Sequence, residues 1–270
     1  MSEPQAEVLV EPNGATRTVT LNRAAKRNAL TTAMLAAVDT ALAEAEADRS
    51  VHTIVLRGAG TCFSAGRDTK EFDTPGELRD GSLADRQNTF MSVLSRLADG
   101  PKPTIAAVHG YAFGAGQALT LACDFVVAER GARFGNPEMV YGFPAAMNLA
   151  LLARHLGRRM GLEIAITGAP YSAERYFDLG LVNRLAEPGA LEAECQAFAD
   201  QLNALAPWAV TRTKLTFRHA EETDARGGLH LGNELNQLLM LASHTGSVHS
   251  GDDEVRKRLA GDLARSGGES

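Results

Sequence analysis

Thr104-Ile105-Ala106-Ala107-Val108, followed by His109-Gly110-Tyr111-Ala112-Phe113-Gly114-Ala115-Gly116, decides the fold class. Five apolar or β-branched residues in a row read as a buried strand. The glycine-rich run that follows reads as a loop, and Gln117–Cys123 continues as a helix. The same order occurs upstream, where the strand His52–Arg57 runs into Gly58-Ala59-Gly60 and then Phe63-Ser64-Ala65-Gly66-Arg67-Asp68. A further strand is predicted at Asp124–Ala128. Strands alternating with helices imply an α/β fold with right-handed crossovers. The recurring strand, glycine loop and helix form a weak internal repeat, without the self-similarity of a solenoid.

Outward from this centre, Glu7–Glu11 and Ala15–Asn22 flank Pro12-Asn13-Gly14 and read as a hairpin. Thr31–Ala47 reads as a helix with Leu35, Val38, Leu42 and Ala45 on one face and Thr31 or Thr32 as cap. A second helix is expected over Leu83–Asp99, carrying Phe90, Leu94 and Leu97. From Leu149 onward the chain is mostly helical, with Leu231, Leu235, Leu238 and Ala242 marking a late amphipathic helix. The Gly/Ser-rich end, Arg265–Ser270, is expected to fray. A break near Asp200 divides an α/β core, residues 1–200, from a helical extension, residues 201–270.

Composition narrows the function classes. Apolar residues make up 44% of the 270, enough for a substantial core. A net charge of −6 argues against a nucleic-acid surface, since phosphates are bound mainly by Lys and Arg. Cys62, Cys123 and Cys195 are odd in number and lack metal-site spacing, so neither a disulfide framework nor a metal centre is expected. The acidic N-terminus is unlike a secretory signal, and no run approaches the about 20 apolar residues of a membrane span. A cytoplasmic protein is the expectation.

The two glycine loops carry the chemistry. At strand-to-helix turns, N–H groups without helical partners and the helix dipole favour negative charge. Either loop alone reads equally as a tight, close-packed turn. Taken with Leu21-Asn22-Arg23, Asn28-Ala29-Leu30, Cys123-Asp124 and Phe134-Gly135-Asn136-Pro137-Glu138, their order resembles the enoyl-CoA hydratase/isomerase (crotonase) superfamily. The resemblance runs from about Val8 to Leu185 and extends to Gly168, Ala173 and Gly180-Leu181-Val182.

That resemblance implies a spiral of ββα units with a C-terminal helical extension, acting on an acyl-CoA thioester. It implies no permanently bound cofactor, coenzyme A entering as part of the substrate, and assembly as a homotrimer or a dimer of trimers. By the family pattern, the backbone N–H groups of Arg67 and Ala115 hold the thioester oxygen as it gains charge in the enolate. The Arg67 side chain reads as exposed or phosphate-facing. Lys26 matches a basic residue near the CoA phosphates, or is a solvated lysine. Ala65, Asp68 and Thr69 match the loop around the adenine end, while Asp68 reads equally as a helix cap. Lys214, after Ala206-Pro207-Trp208-Ala209-Val210, resembles a lysine that helps close the CoA site. Ser243–Ser250 replaces the usual acidic stretch there, and the customary basic-aromatic tail is missing.

Glu138 matches the catalytic acid/base. Pro137 should interrupt a strand before it, and the apolar Met139, Val140 and Phe143 would desolvate its carboxyl and raise its pKa. Typical hydratases of the family carry a second Glu where this chain has Ala118, and a methyl group cannot activate water. One carboxylate suffices to move a proton between two carbons of an enolate, so a double-bond isomerase is the sharper expectation. Hydration, thioester hydrolysis, C–C cleavage, or acyl-CoA binding with weak catalysis are the alternatives. Gln117 reads as a solvent-facing residue rather than a water holder, Tyr141 as packed, and His109 as the end of a buried strand. Gly142–Asn148 replaces the family's frequent Pro-Gly-x-Gly-Gly loop, and Ala145 stands where some relatives carry an aspartate.

Overall fold

The structure, a computed structural model, describes the backbone of residues 6–72 and 82–244; the expected Gly/Ser-rich tail and most of Ser243–Ser250 lie outside the described residues. The chain begins with a hairpin in which β1 (Val8–Asn13) pairs antiparallel with β2 (Thr16–Leu21), Asn13 opposite Thr16. The turn is therefore Gly14-Ala15, with Gly14 at φ 58°, a conformation that costs a residue without Cβ little. Pro12 belongs to the strand, and β1 lies at the sheet edge, where a missing N–H is tolerated. Helix α1 (Thr32–Ala47) follows, its Thr31 hydroxyl accepting the Met34 N–H at 3.0 Å. Leu35, Val38, Leu42 and Ala45 are buried as their spacing predicts.

Next come β3 (Thr53–Gly58) and α2 (Ser82–Asp99), which buries Phe90, Leu94 and Leu97. After β4 (Thr104–Val108), the expected glycine loop contains a short strand, β5 (Tyr111–Phe113), before α3 (Ala115–Ala122). Then follow β6 (Phe125–Glu129), β7 (Arg133–Gly135), a 3-10 turn over Pro137–Tyr141 and α4 (Ala146–Thr167), broken at Gly157. The last described elements are β8 (Tyr171–Ser172), α5 (Ala173–Asp178), β9 (Arg184–Ala186), α6 (Leu191–Asn203), α7 (Pro207–Glu222) and α8 (Ala225–His244).

Among the described residues, the strands form two sheets. The larger has the order β1-β2-β3-β4-β6-β9 and is parallel from β2 onward; the smaller has the order β5-β7-β8. Successive strands alternate between the sheets before each helix: β4, β5, α3, then β6, β7, α4. The segment after β3 takes the corresponding place, because Ser64 bridges Ala112 of β5 in parallel. These ββα turns are the physical content of the weak repeat and give the α/β spiral that the resemblance implies.

One core cluster joins the large sheet to α1, α2, α3 and α4. A second, on β3, β4 and β6, combines Val55, Ile105, Ala107 and Val127 with Cys195 and Ala199 of α6. Asp200, where the sequence reading sets its break, thus lies inside a helix packed on the sheet; the chain passes from α6 to α7 over residues 204–206. Lys214 ties α7 down, donating to the carbonyls of Leu97 (3.2 Å) and Lys102 (3.0 Å) and pairing with Asp124 at 2.6 Å. Asp124 also accepts the Thr104 N–H, so its place after Cys123 is a structural one. Lys214 is spent in this anchor, which corrects the expectation that it closes a CoA site. Among the described residues, no helix is long and apolar enough to cross a membrane.

Candidate active site

The two glycine loops are stitched together by backbone hydrogen bonds. Phe63 N–H donates to His109 O (3.0 Å), Ser64 N–H to Tyr111 O (3.1 Å), and Phe113 N–H to Ser64 O (3.0 Å). Glycines make the approach close enough: a Cβ on Gly116 would lie 2.8 Å from Ser64 Cβ. A Cβ on Gly66, at φ 97°, would lie 2.9 Å from Phe113 O and 3.4 Å from Ala115 N. The segments bearing Arg67 and Ala115 are therefore neighbours. Gly66 O accepts the Leu30 N–H at 2.8 Å. In a trans peptide the N–H opposes the C=O, so the Arg67 N–H is turned away from Leu30. Ala115 opens α3, where the first N–H groups have no partner within the helix.

Glu138 is brought to the same place by the small sheet. Phe113 of β5 pairs with Gly135 of β7, and Gly114 N–H donates to Gly135 O at 2.9 Å. Pro137 ends the strand and starts the 3-10 turn, as its lack of an N–H predicts. The Glu138 carboxyl then lies against Gly114: a Cβ there would meet Oε1 at 2.3 Å and Cδ at 3.0 Å. Glu138 Oε2 is enclosed, with no hydrogen-bond partner among the described residues. Burial pushes the carboxyl above the usual range for Glu, offset in part by its own backbone N–H. The sequence reading assigns this desolvation to Met139, Val140 and Phe143. Instead, Val140 and Phe143 are 74% and 66% exposed, and the glycine loop contributes to the enclosure. Tyr141 is also exposed rather than packed. A carboxyl raised above the ordinary Glu range and set beside the loop is suited to take or return a proton.

Gln117 departs most from expectation. It is fully buried, not solvent-facing. Its Nε2 donates to Asn136 Oδ1 (3.1 Å) and Asn148 Oδ1 (3.3 Å), and its Oε1 accepts the Tyr176 hydroxyl (2.9 Å). Every residue of α3 is buried, Ala118 at 0% exposure, so polar side chains there must find internal partners. The signal available in the sequence is that Ala115–Ala122 contains no charged residue, as befits a helix enclosed on all sides.

The remaining candidates divide. Lys26 and Thr69 are exposed, and Ala65 N–H donates to Arg27 O at 2.9 Å, which sets Ala65 beside the Lys26 turn. Asp68 pairs with Arg23 at 2.6 Å and accepts the Lys70 N–H, so it acts as a cap and clamp. The Arg23 bond holds its carboxyl below the ordinary Asp range. The Arg67 side chain is not exposed. It lies 13% exposed, 3.7 Å from Glu71 and 5.8 Å from the Phe90 ring centroid. His109 is bound to Gly60 O at 2.9 Å. A cleft of about 440 Å³ beside α6 includes Arg57, already paired with Glu11 and Glu192, and is not lined by Arg67, Ala115 or Glu138.

Known proteins resemble this chain in sequence and in fold. The family described as enoyl-CoA hydratase/isomerase matches residues 11–247. The 2,3-dehydroadipyl-CoA hydratase of Escherichia coli is 32% identical over 91% of this chain and 94% of its own length. The short-chain-enoyl-CoA hydratase of Clostridium acetobutylicum is 32% identical over 84% and 87%. The crystal structure of an enoyl-CoA hydratase from Mycobacterium smegmatis superposes with a TM-score of 0.83 at 30% identity, covering 97% of both chains.

Proposed function

The chain belongs to the enoyl-CoA hydratase/isomerase family, and from that premise we propose that it isomerises the double bond of an enoyl-CoA with Glu138 as its acid/base. The observation that carries this reading is the Glu138 carboxyl lying against Gly114, with a buried methyl, Ala118, where typical hydratases of the family have a second Glu. Starting from a 3-enoyl-CoA, the Glu138 carboxylate takes a proton from the α carbon. The electron pair moves onto the thioester oxygen, giving a dienolate held by the N–H groups of Arg67 and Ala115. The same carboxyl then returns the proton at the γ carbon, yielding the 2-enoyl-CoA. Nothing is consumed, and one group serves both steps.

Lys26, Ala65 and Thr69 form the proposed rim for the CoA moiety, with Lys26 pairing with phosphate; Asp68 supports that rim through Arg23. Exposed apolar residues on α7 and α8, Phe217, Leu229, Leu238 and Met240, support self-association, which we propose takes the form of a homotrimer or dimer of trimers. Sedimentation analysis tests that assembly.

Hydration is the second reading, favoured by the names of the relatives above. Purified 2-enoyl-CoA and 3-enoyl-CoA, followed by ultraviolet absorbance, separate the two. A gain of conjugated thioester from the 3-enoyl substrate supports isomerisation. Rapid loss of conjugation from the 2-enoyl substrate, with the 3-enoyl form untouched, overturns it. Release of free thiol would point instead to thioester hydrolysis.

A further inference from the structure

The peptide joining Gly114 to Ala115 is held from its carbonyl end. Gly114 O accepts two donors, the Ala118 N–H at 3.0 Å and Asn148 Nδ2 at 2.9 Å. The peptide is planar and trans, so the Ala115 N–H leaves in the opposite direction. Two donors on the carbonyl set its aim and polarise the unit, making its N–H a better donor. The Ala118 bond is the ordinary first bond of α3. The Asn148 bond arrives from elsewhere, the first turn of α4.

Asn148 is 2% exposed, and its own oxygen accepts from Gln117. Gln117 gives both amide hydrogens to oxygens, so its orientation is fixed: reversed, its oxygen would face the two acceptors Asn136 Oδ1 and Asn148 Oδ1. The chain of donors thus has one direction, from Tyr176 through Gln117 and Asn148 to the Gly114 carbonyl. Its other branch passes to Asn136, the residue before Pro137 and Glu138, whose Nδ2 donates on to Ile164 O at 3.4 Å. Burying four polar side chains is costly unless all are satisfied, and an apolar group would fill the same space. What the amide at position 148 adds is a hydrogen bond to the one peptide of α3 that faces the reacting oxygen in the proposed function, on which this inference rests.

We propose that Asn148 is a positioning residue for the oxyanion: it aims and polarises the Ala115 N–H through the Gly114 carbonyl.

The test uses a dienoyl-CoA as optical probe, because polarising its thioester carbonyl moves its absorbance to longer wavelength. Wild-type protein should show that shift on binding. Asn148→Ala should bind the probe within threefold of wild type, lose more than half of the shift, and lose about 100-fold in kcat with KM little changed. In Asn148→Asp, only the protonated acid can donate to Gly114 O. Measured against the wild-type shift at each pH, so that titration of the neighbouring Glu138 cancels, its red shift should therefore appear at acid pH and vanish at alkaline pH. Asn148→Ala with wild-type shift and kcat overturns the inference. Should circular dichroism find Asn148→Ala unfolded, a pH-independent shift in Asn148→Asp overturns it instead. A wild-type chain that neither shifts the probe nor turns over any enoyl-CoA overturns this inference and the proposed function together. An active wild type with indifferent Asn148 variants removes this inference alone.

Discussion

The carboxyl of Glu138 and the Cα of Gly114 share a boundary so close that a methyl on residue 114 would lie 2.3 Å from Oε1. Gly114 also sits at φ 54°, a region L residues rarely adopt. Gly114→Ala should therefore displace both the proposed base and the adjoining Ala115 N–H. The expected outcome is a loss of about 100-fold or more in kcat in steady-state assays, with helical content retained by circular dichroism.

Glu138→Gln keeps the shape of the side chain and removes its proton chemistry. Turnover should fall about 100- to 10,000-fold while acyl-CoA binding, measured by calorimetry, stays near wild type. A variant retaining a tenth of wild-type kcat would remove Glu138 from the mechanism.

Burial raises the Glu138 pKa, and the proposed reaction begins with the carboxylate. The kcat/KM for a 3-enoyl-CoA should thus fall as pH drops through a value above the ordinary Glu range. Stability runs the other way. A carboxyl whose folded pKa is raised binds its proton more tightly when folded, so its ionisation costs stability above the unfolded pKa. Glu138→Gln should raise Tm at pH 7, with the gain shrinking toward pH 4; an equal gain at both values contradicts the assignment.

Gly66→Ala tests the seam between the loops. Its methyl would press on Phe113 O at 2.9 Å, at a backbone φ of 97°, and part the two proposed oxyanion donors. Losing one such donor typically costs about 2.7–4 kcal/mol of barrier, so kcat should drop about 100- to 1,000-fold.

Lys214→Met strands Asp124 among buried groups. Burial already pushes the Asp124 carboxyl upward, against the pull of Lys214. Denaturant unfolding should show a loss of about 3 kcal/mol, and adding Asp124→Asn should recover part of it. Equal stability of wild type and the single variant would contradict the anchor.

Much of this molecule is legible in its sequence where patterns are local. The periodicity of Leu35, Val38, Leu42 and Ala45, the buried run Thr104–Val108 and the Pro137 break all reach their observed places. The strands Tyr111–Phe113, Arg133–Gly135 and Tyr171–Ser172 do not, because two or three residues carry no period and exist through pairing with distant partners. The same reason hid Gln117 and Asn148. An isolated amide reads as surface, and only the folded chain shows that its partners lie 19, 31 and 59 residues away. Lys214 and the Arg67 side chain show the converse: a charge in sequence suggests an anionic ligand, while the fold pairs these two with Asp124 and Glu71.

The seam at Ser64 and Ala112 is made wholly of main-chain atoms. What would grip the reacting oxygen is therefore main chain, and side chains reach it only through a few supporting bonds, in which Ser64 Oγ accepts the Gly66 N–H and Asn148 donates to the Gly114 carbonyl. Glu138, the proposed acid/base, rides on a separate turn after β7. A scaffold divided in this way can exchange one carboxylate for another position without rebuilding the grip. Ancestral reconstructions across such a lineage should find the seam invariant in geometry while the acids migrate around it.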